Sequence, residues 1–237
     1  MRVLGIDSSG LVASVAIVED EIVLAEYSVN YKKTHSQTLL PMLDEISRMI
    51  ELDIDTVDAI AVAAGPGSFT GLRIGSATAK GLAEAMGKPI VAVPTVDALA
   101  YNLYGTSAIV CPLMDARREQ TYTGVYEFAR VKDVYTMNTL LPQRAVALDE
   151  IIDVLNNMDR DVVFLGDGVP VFYDKLESML KVSHTYAPPF MNRQRAAALA
   201  TLAFSYIAEG KTQSAAEHAP VYLRLSQAER EALEKKE

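Results

Sequence analysis

The 237-residue sequence predicts an α/β protein of two similar subdomains, each a mixed sheet flanked by helices. Three features carry that prediction. The first thirty residues read as three strands joined by tight turns. Short apolar runs and amphipathic stretches then alternate as far as Asn102. From Ala108 the same succession begins again, as a repetition of order rather than of residues.

The opening strands cover residues 2–6, 12–18 and 22–29, separated by Ser8-Ser9-Gly10 and Glu19-Asp20-Glu21. Over 36–50 the apolar residues Leu39, Met42, Leu43, Ile46, Met49 and Ile50 recur every three or four positions, the period of an amphipathic helix. Ser36 is placed as its N-cap, and Pro41 falls in the first turns, where proline is tolerated best. Residues 57–64 form a strand that enters a glycine loop at Gly65-Pro66-Gly67, and 72–86 form a helix stopped by Gly87-Lys88-Pro89. A buried-type strand at 90–93 follows, and Thr95 opens a helix through Asn102 with Asp97 in its first turn.

The second half reads as strands at 108–114, 122–128 and 131–137, a helix at 148–158, a strand at 162–165 and a helix at 169–180. A late helix from about Arg193 to Glu209 completes it, and the tail after Pro220, rich in Glu and Lys over 228–237, reads as a short polar helix or a disordered end. The expected division is a first, partner-binding subdomain at 1–104, a second, smaller one at 105–192, and a C-terminal helix packing back with a polar tail at 193–237.

Half of the residues are apolar, enough for a substantial core. The longest apolar runs, 59–64 and 90–93, fall far short of the roughly 20 residues of a membrane span, and no apolar leader follows Met1-Arg2. A cytoplasmic protein without membrane contact is expected. The single cysteine, Cys111, excludes an internal disulfide and a multi-cysteine zinc site, and its apolar strand marks it as a buried, inert thiol. A net charge of −9 suits an RNA grip poorly, because phosphate binding needs a basic face; Arg117, Arg118, Arg193 and Arg195 read as solvated surface.

Two copies of three strands followed by alternation resemble the actin, sugar kinase and heat-shock ATPase superfold. Asp7-Ser8-Ser9-Gly10 stands where that superfold has its first phosphate loop, in which hairpin N–H groups approach phosphate oxygens and an Asp positions a metal or water. The same four residues make an ordinary turn, and they are read as a vestigial loop. A more specific signal is Gly65-Pro66-Gly67-Ser68-Phe69-Thr70-Gly71-Leu72-Arg73-Ile74-Gly75, which closely resembles the hallmark of the TsaB (YeaZ) family. Pro94-Thr95-Val96-Asp97-Ala98-Leu99, Asp115-Ala116-Arg117-Arg118, Gly166-Asp167-Gly168 and Pro220-Val221-Tyr222-Leu223-Arg224 are similar to further family motifs, so the resemblance spans nearly the whole chain. It implies a non-catalytic subunit of the machinery that installs threonylcarbamoyladenosine in tRNA. It also implies a TsaD-like transferase and a TsaE-like P-loop ATPase as partners, tRNA contact only through the complex, a homodimer when alone, and no cofactor.

TsaD-like proteins hold a metal with H-x-x-x-H on a helix; here His35 is followed by Leu39 at the second position, and His184 and His218 lie far off in sequence, so no metal is expected. His35 then reads as a helix-start or contact residue. Neither H-E-x-x-H nor G-x-S-x-G occurs, and nothing identifies a base beside Ser68, which reads as a helix cap. The glycine loop lacks the Lys-[Ser/Thr] of a P-loop. The competing reading is a small-molecule kinase or ATPase of the same superfold, with Asp7 at a magnesium nucleotide and Gly166-Asp167-Gly168 as a partial adenosine motif.

Gly71, Gly75, Ala79 and Ala83 recur every four residues, a small-residue stripe suited either to packing within the domain or to a subunit contact. The 36–50 helix, with Leu40 added, is apolar over more than half its circumference, and surplus apolar surface marks a partner site. The family resemblance points to the same helix pair. His35, Leu39, Met42, Leu43, Ile46, Gly71, Gly75 and Ala79 are therefore expected at an interface, with Leu43→Asp or Ile46→Asp abolishing the complex while leaving a folded monomer.

Overall fold

A computed structural model describes residues 1–31 and 34–224; the expected polar helix or disordered end at 228–237 lies outside the described residues. The order is β1 (Arg2–Asp7), β2 (Ala13–Glu19), β3 (Ile22–Val29), α1 (His35–Met49), β4 (Ala59–Gly65), α2 (Phe69–Met86), β5 (Ile90–Pro94) and α3 (Thr95–Tyr101). It continues with β6 (Ile109–Asp115), β7 (Gln120–Val131), β8 (Val134–Ala147), α4 (Leu148–Met158), β9 (Val162–Leu165), α5 (Val169–Met179), β10 (His184–Tyr186) and α6 (Ala196–Ala208).

The two sheets have one topology. The first runs β3-β2-β1-β4-β5 and the second β8-β7-β6-β9-β10. In each, the first three strands pair antiparallel and the last two join in parallel through helical crossovers. This is the duplicated α/β plan of the actin, sugar kinase and heat-shock ATPase superfold, as the succession of elements predicts.

Each helix covers the sheet face that its apolar stripe dictates. α1 and α2 bury Leu39, Met42, Leu43, Ile46, Ala79 and Ala83 against Ile6, Val15, Ile17 and Val62 of the first sheet. The opposite face, through Val3, Ala16, Val18 and Val91, receives the alanine-rich α6, whose small side chains let helix and sheet approach closely. α4 and α5 cover one face of the second sheet. α3 is wedged between the two halves, with Ala98 packed toward α6 and Val96, Leu99 and Leu103 toward Val110, Met114 and Tyr126. Its Asp97 accepts hydrogen bonds from Tyr126 Oη (2.6 Å) and Tyr206 Oη (3.2 Å), and burial raises its pKa. One carboxylate thereby ties α3, β7 and α6 together.

Some boundaries move. β7 and β8 form a ribbon longer than expected, turning at Lys132 in the left-handed region (φ 57°) inside the stretch read as strand 131–137. Much of β8 is exposed, so it lacks the apolar alternation that marks a half-buried strand. Three-residue β10 is too short to carry a signal. The N-cap of α1 is Thr34 rather than Ser36, whereas Ser68 caps α2 as read, its Oγ accepting from Gly71 N at 3.2 Å.

Cys111 is fully buried and desolvation pushes its thiol up to about 12, so little thiolate exists at neutral pH. An aromatic disulfide reagent should leave the native chain unlabelled and modify one thiol after denaturation; rapid native labelling would contradict that burial.

Candidate functional site

Apart from Pro94 to Leu99, which opens α3, the motifs scattered along the chain meet at one cleft between the halves, with a volume of about 880 Å³. Ser9 and Gly10 come from the β1–β2 turn, Gly67 to Gly71 from the loop opening α2, Asp115 to Arg117 from the β6–β7 hairpin, Asp167 from the β9–α5 turn, and Val221 to Arg224 from the C-terminal segment. His35, Tyr31 and Tyr122 complete the wall.

On the first half, the turn and the glycine loop are locked together. Asp7 is buried, and its Oδ1 accepts from Ser9 N (2.9 Å) and Ser9 Oγ (2.6 Å). Desolvation raises the Asp7 pKa to about 6 in spite of those bonds. Ser8 Oγ donates to Gly71 O at 2.8 Å, and Ser68 N donates to Ser9 O at 2.7 Å. A Cβ on Gly71 would stand 2.1 Å from Ser8 O, so only glycine lets α2 seat against the turn. His35 Nε2 carries the proton and donates to Gly10 O at 2.9 Å. The imidazole expected at a helix start is there a brace between α1 and the turn.

This arrangement decides what the helix end can do. A free helix N-terminus attracts anions because its first N–H groups lack partners. Here Ser9 O and Ser68 Oγ already accept from two of the loop's N–H groups. Asp7 is likewise held by Ser9 beneath the turn and is absent from the cleft lining.

The second half is built similarly. Gly166 has φ 112°, and a Cβ there would meet Leu113 O at 2.1 Å. Asp167 Oδ1 accepts from Asp115 N at 3.3 Å and its pKa is raised, chiefly by burial. Asp115 holds its hairpin through Arg117 N (2.7 Å) and the Arg117 guanidinium (3.1 Å). Arg117, Arg118 and Glu119 all adopt left-handed φ, each costing on the order of 1 kcal/mol for a residue with a Cβ.

The expected interface residues are placed differently from the sequence reading. Leu39, Met42, Leu43 and Ile46 are 2, 4, 7 and 4% exposed, because one sheet face together with α2 does accommodate them. A Cβ on Gly75 would stand 2.3 Å from Ser8 Oγ, Gly71 faces the Ser8 carbonyl, and Ala79 is buried in the same core. The stripe therefore serves packing within the chain. Leu43→Asp or Ile46→Asp would put a carboxylate into the core and lose the fold, not select an interface. What α1 leaves outside is Leu40 (54% exposed) and Met49 (75%), and what α2 leaves outside is Ala77, Gly81 and Ala85.

The sequence reading also missed contacts that only folding creates. Phe69 stacks with Tyr222 (centroids 4.6 Å apart) under the Arg73 guanidinium, 4.0 Å from the Phe69 ring. Gln143 of β8 donates to Gly65 O at 3.3 Å, and Gln194 packs behind Gly10. The Pro220 to Arg224 motif is visible in the sequence, but nothing in it announces where it lies. Among the described residues no three His, Cys, Asp or Glu side chains gather as metal ligands, and no helix is long and apolar enough to cross a membrane.

The family model described as TsaD, tRNA N6-adenosine threonylcarbamoyltransferase, matches residues 23–232. The tRNA threonylcarbamoyladenosine biosynthesis protein TsaB of Bacillus subtilis is 32% identical over 237 residues, covering 99% of each chain. Its Escherichia coli counterpart is 30% identical over 231 residues, covering 94% of this chain and 95% of its own. Among solved structures, YeaZ from Pseudomonas aeruginosa superposes with a TM-score of 0.76 at 25% identity, covering 94% of this chain and 100% of that one.

Proposed function

The chain belongs to the TsaB (YeaZ) family, and from that premise we propose that it is a non-catalytic subunit that binds and supports a TsaD-like threonylcarbamoyl transferase. Its place in tRNA threonylcarbamoyladenosine biosynthesis follows from the family. The observation that carries the finer reading is the locked cleft: Ser68 N is taken by Ser9 O, Gly71 N by Ser68 Oγ, and Asp7 Oδ1 by Ser9. With a net charge of −9, tRNA is held by the other subunits, the transferase and a TsaE-like P-loop ATPase.

The partner surface is assigned to the outward faces of α1 and α2, which pack side by side. Gly81 sits mid-helix where a Cβ would meet nothing, with exposed Ala77 and Ala85 one turn away on either side. A bare glycine weakens a helix by about 1 kcal/mol relative to alanine, and close approach of a partner helix gives it a use. On α1, Leu40 and Met49 flank the buried stripe on either side and are its exposed apolar anchors. When the transferase is absent, the same surface pairs with a second copy.

Leu40→Asp combined with Met49→Asp is expected to weaken co-purification with the transferase at least tenfold while the melting temperature stays within a few degrees, because both side chains are exposed. Undiminished co-purification would overturn the surface assignment. Reconstituting tRNA modification with and without the chain tests the role itself: product should depend on the chain, and a transferase equally active alone would refute it. Titration calorimetry with ATP and magnesium tests the kinase or ATPase reading, which micromolar binding by the isolated chain would restore.

A further inference from the structure

Beyond α6 the chain wraps back across the molecule. Gln213 and Ile90 exchange two backbone hydrogen bonds of 2.8 Å at the edge of the first sheet. His218 is buried, and its carbonyl accepts from Lys80 Nζ at 3.0 Å. This root is firmly held. The tip, residues 220–224, is held otherwise. Val221 N donates to Ala64 O at 2.7 Å, Tyr222 stacks on Phe69, and Arg73 Nε donates to Tyr222 Oη at 3.3 Å, all on the first half. Arg224 Nη1 donates to the carbonyls of Ala116 and Arg117 on the hairpin of the second half. Within four residues the segment grips both walls of the cleft, yet Val221, Tyr222 and Leu223 remain 48, 39 and 36% exposed. A segment kept in place by a few directional bonds and little burial opens at much smaller cost than the core.

We propose that residues 220–224 are a releasable strap that holds the two halves together across the cleft. Its release widens the cleft, bares Phe69 and frees the exposed Arg73 from Tyr222; Phe69 and Arg73 are the aromatic and cationic part of the glycine-rich motif. Anything that binds against Phe69 competes with Tyr222, so the strap sets the threshold for entry. This does not depend on the partner reading above.

The test follows the cleft width and local opening. Cys111 is buried, so spin labels can be placed at Thr70→Cys and Arg118→Cys, one on each wall and both exposed. The cross-cleft distance distribution should lengthen and broaden when the chain is cut after Ala219, and also in the full-length Tyr222→Ala/Arg224→Ala variant, which carries the test if the truncation does not fold. A chain cut after Arg224 keeps the strap and should match the parent. Amide exchange should rise roughly tenfold over 64–73 and 115–118 alone on losing those few bonds. An unchanged distance overturns the proposal. So does a uniform rise in exchange across both sheets, which would mark the segment as ordinary structure, or an opening caused equally by the cut after Arg224.

Discussion

Asp7→Asn is expected to raise the melting temperature by roughly 6–12 °C at pH 8 and to change it little at pH 4. Asp7 is buried, and desolvation lifts its pKa from 3.8 to about 6. A folded-state pKa above the unfolded value favours the protonated form in the native state. Stability from this site is therefore fully present below about pH 4 and is lost as pH rises through about 6, where the native chain must ionise a buried carboxyl. A shift of about two units corresponds to ~3 kcal/mol. Asparagine keeps an oxygen for Ser9 N and Ser9 Oγ while removing the charge. Melting curves of both proteins at the two pH values check this, and a destabilised variant at pH 8 would show that the carboxylate is compensated. The same variant separates the functional readings: a scaffold subunit retains its support of tRNA modification, whereas a kinase that uses Asp7 at its nucleotide does not.

Within α2, two glycine-to-alanine changes should act in opposite directions. Gly71→Ala places a methyl 2.1 Å from the Ser8 carbonyl, a backbone atom held by the β1–β2 turn, and should destabilise by roughly 3 kcal/mol. Gly81→Ala adds a methyl in open space and should stabilise the isolated chain by about 1 kcal/mol through helix propensity. Denaturant midpoints at constant m value read both. A tolerated Gly71→Ala would mean that α2 can lift from the turn, contradicting the locked cleft. If the partner helix approaches over Gly81, the alanine that stabilises the isolated chain weakens the complex.

Most of the fold follows from local pattern. The three opening strands, the α1 stripe of Leu39, Met42, Leu43 and Ile46, and the glycine stop at Gly87 each obey a periodicity or backbone rule that operates within a few residues. The α2 cap at Ser68 is readable for the same reason. The β8 strand is underestimated from sequence because an exposed ribbon needs no apolar alternation, and pairing with β7 defines it instead. The direction in which the α2 stripe faces is open at that level: small residues permit close approach, but only the position of the β1–β2 turn shows that Ser8 is what approaches.

By itself the sequence determined the order of elements apart from the short β10, the duplicated architecture and the GPGSFTGLRIG motif by which the chain resembles its family, since these depend on short-range periodicity and residue type. Tertiary structure alone decided that most of the motifs share one cleft, that the apolar face of α1 is used by the chain's own core, and that the C-terminal segment closes on Phe69. Those of the cleft and the C-terminal segment include pairs more than a hundred positions apart, such as Phe69 with Tyr222 and Ala116 with Arg224. No local pattern encodes such a meeting; it is set by how the two sheets and α3 pack.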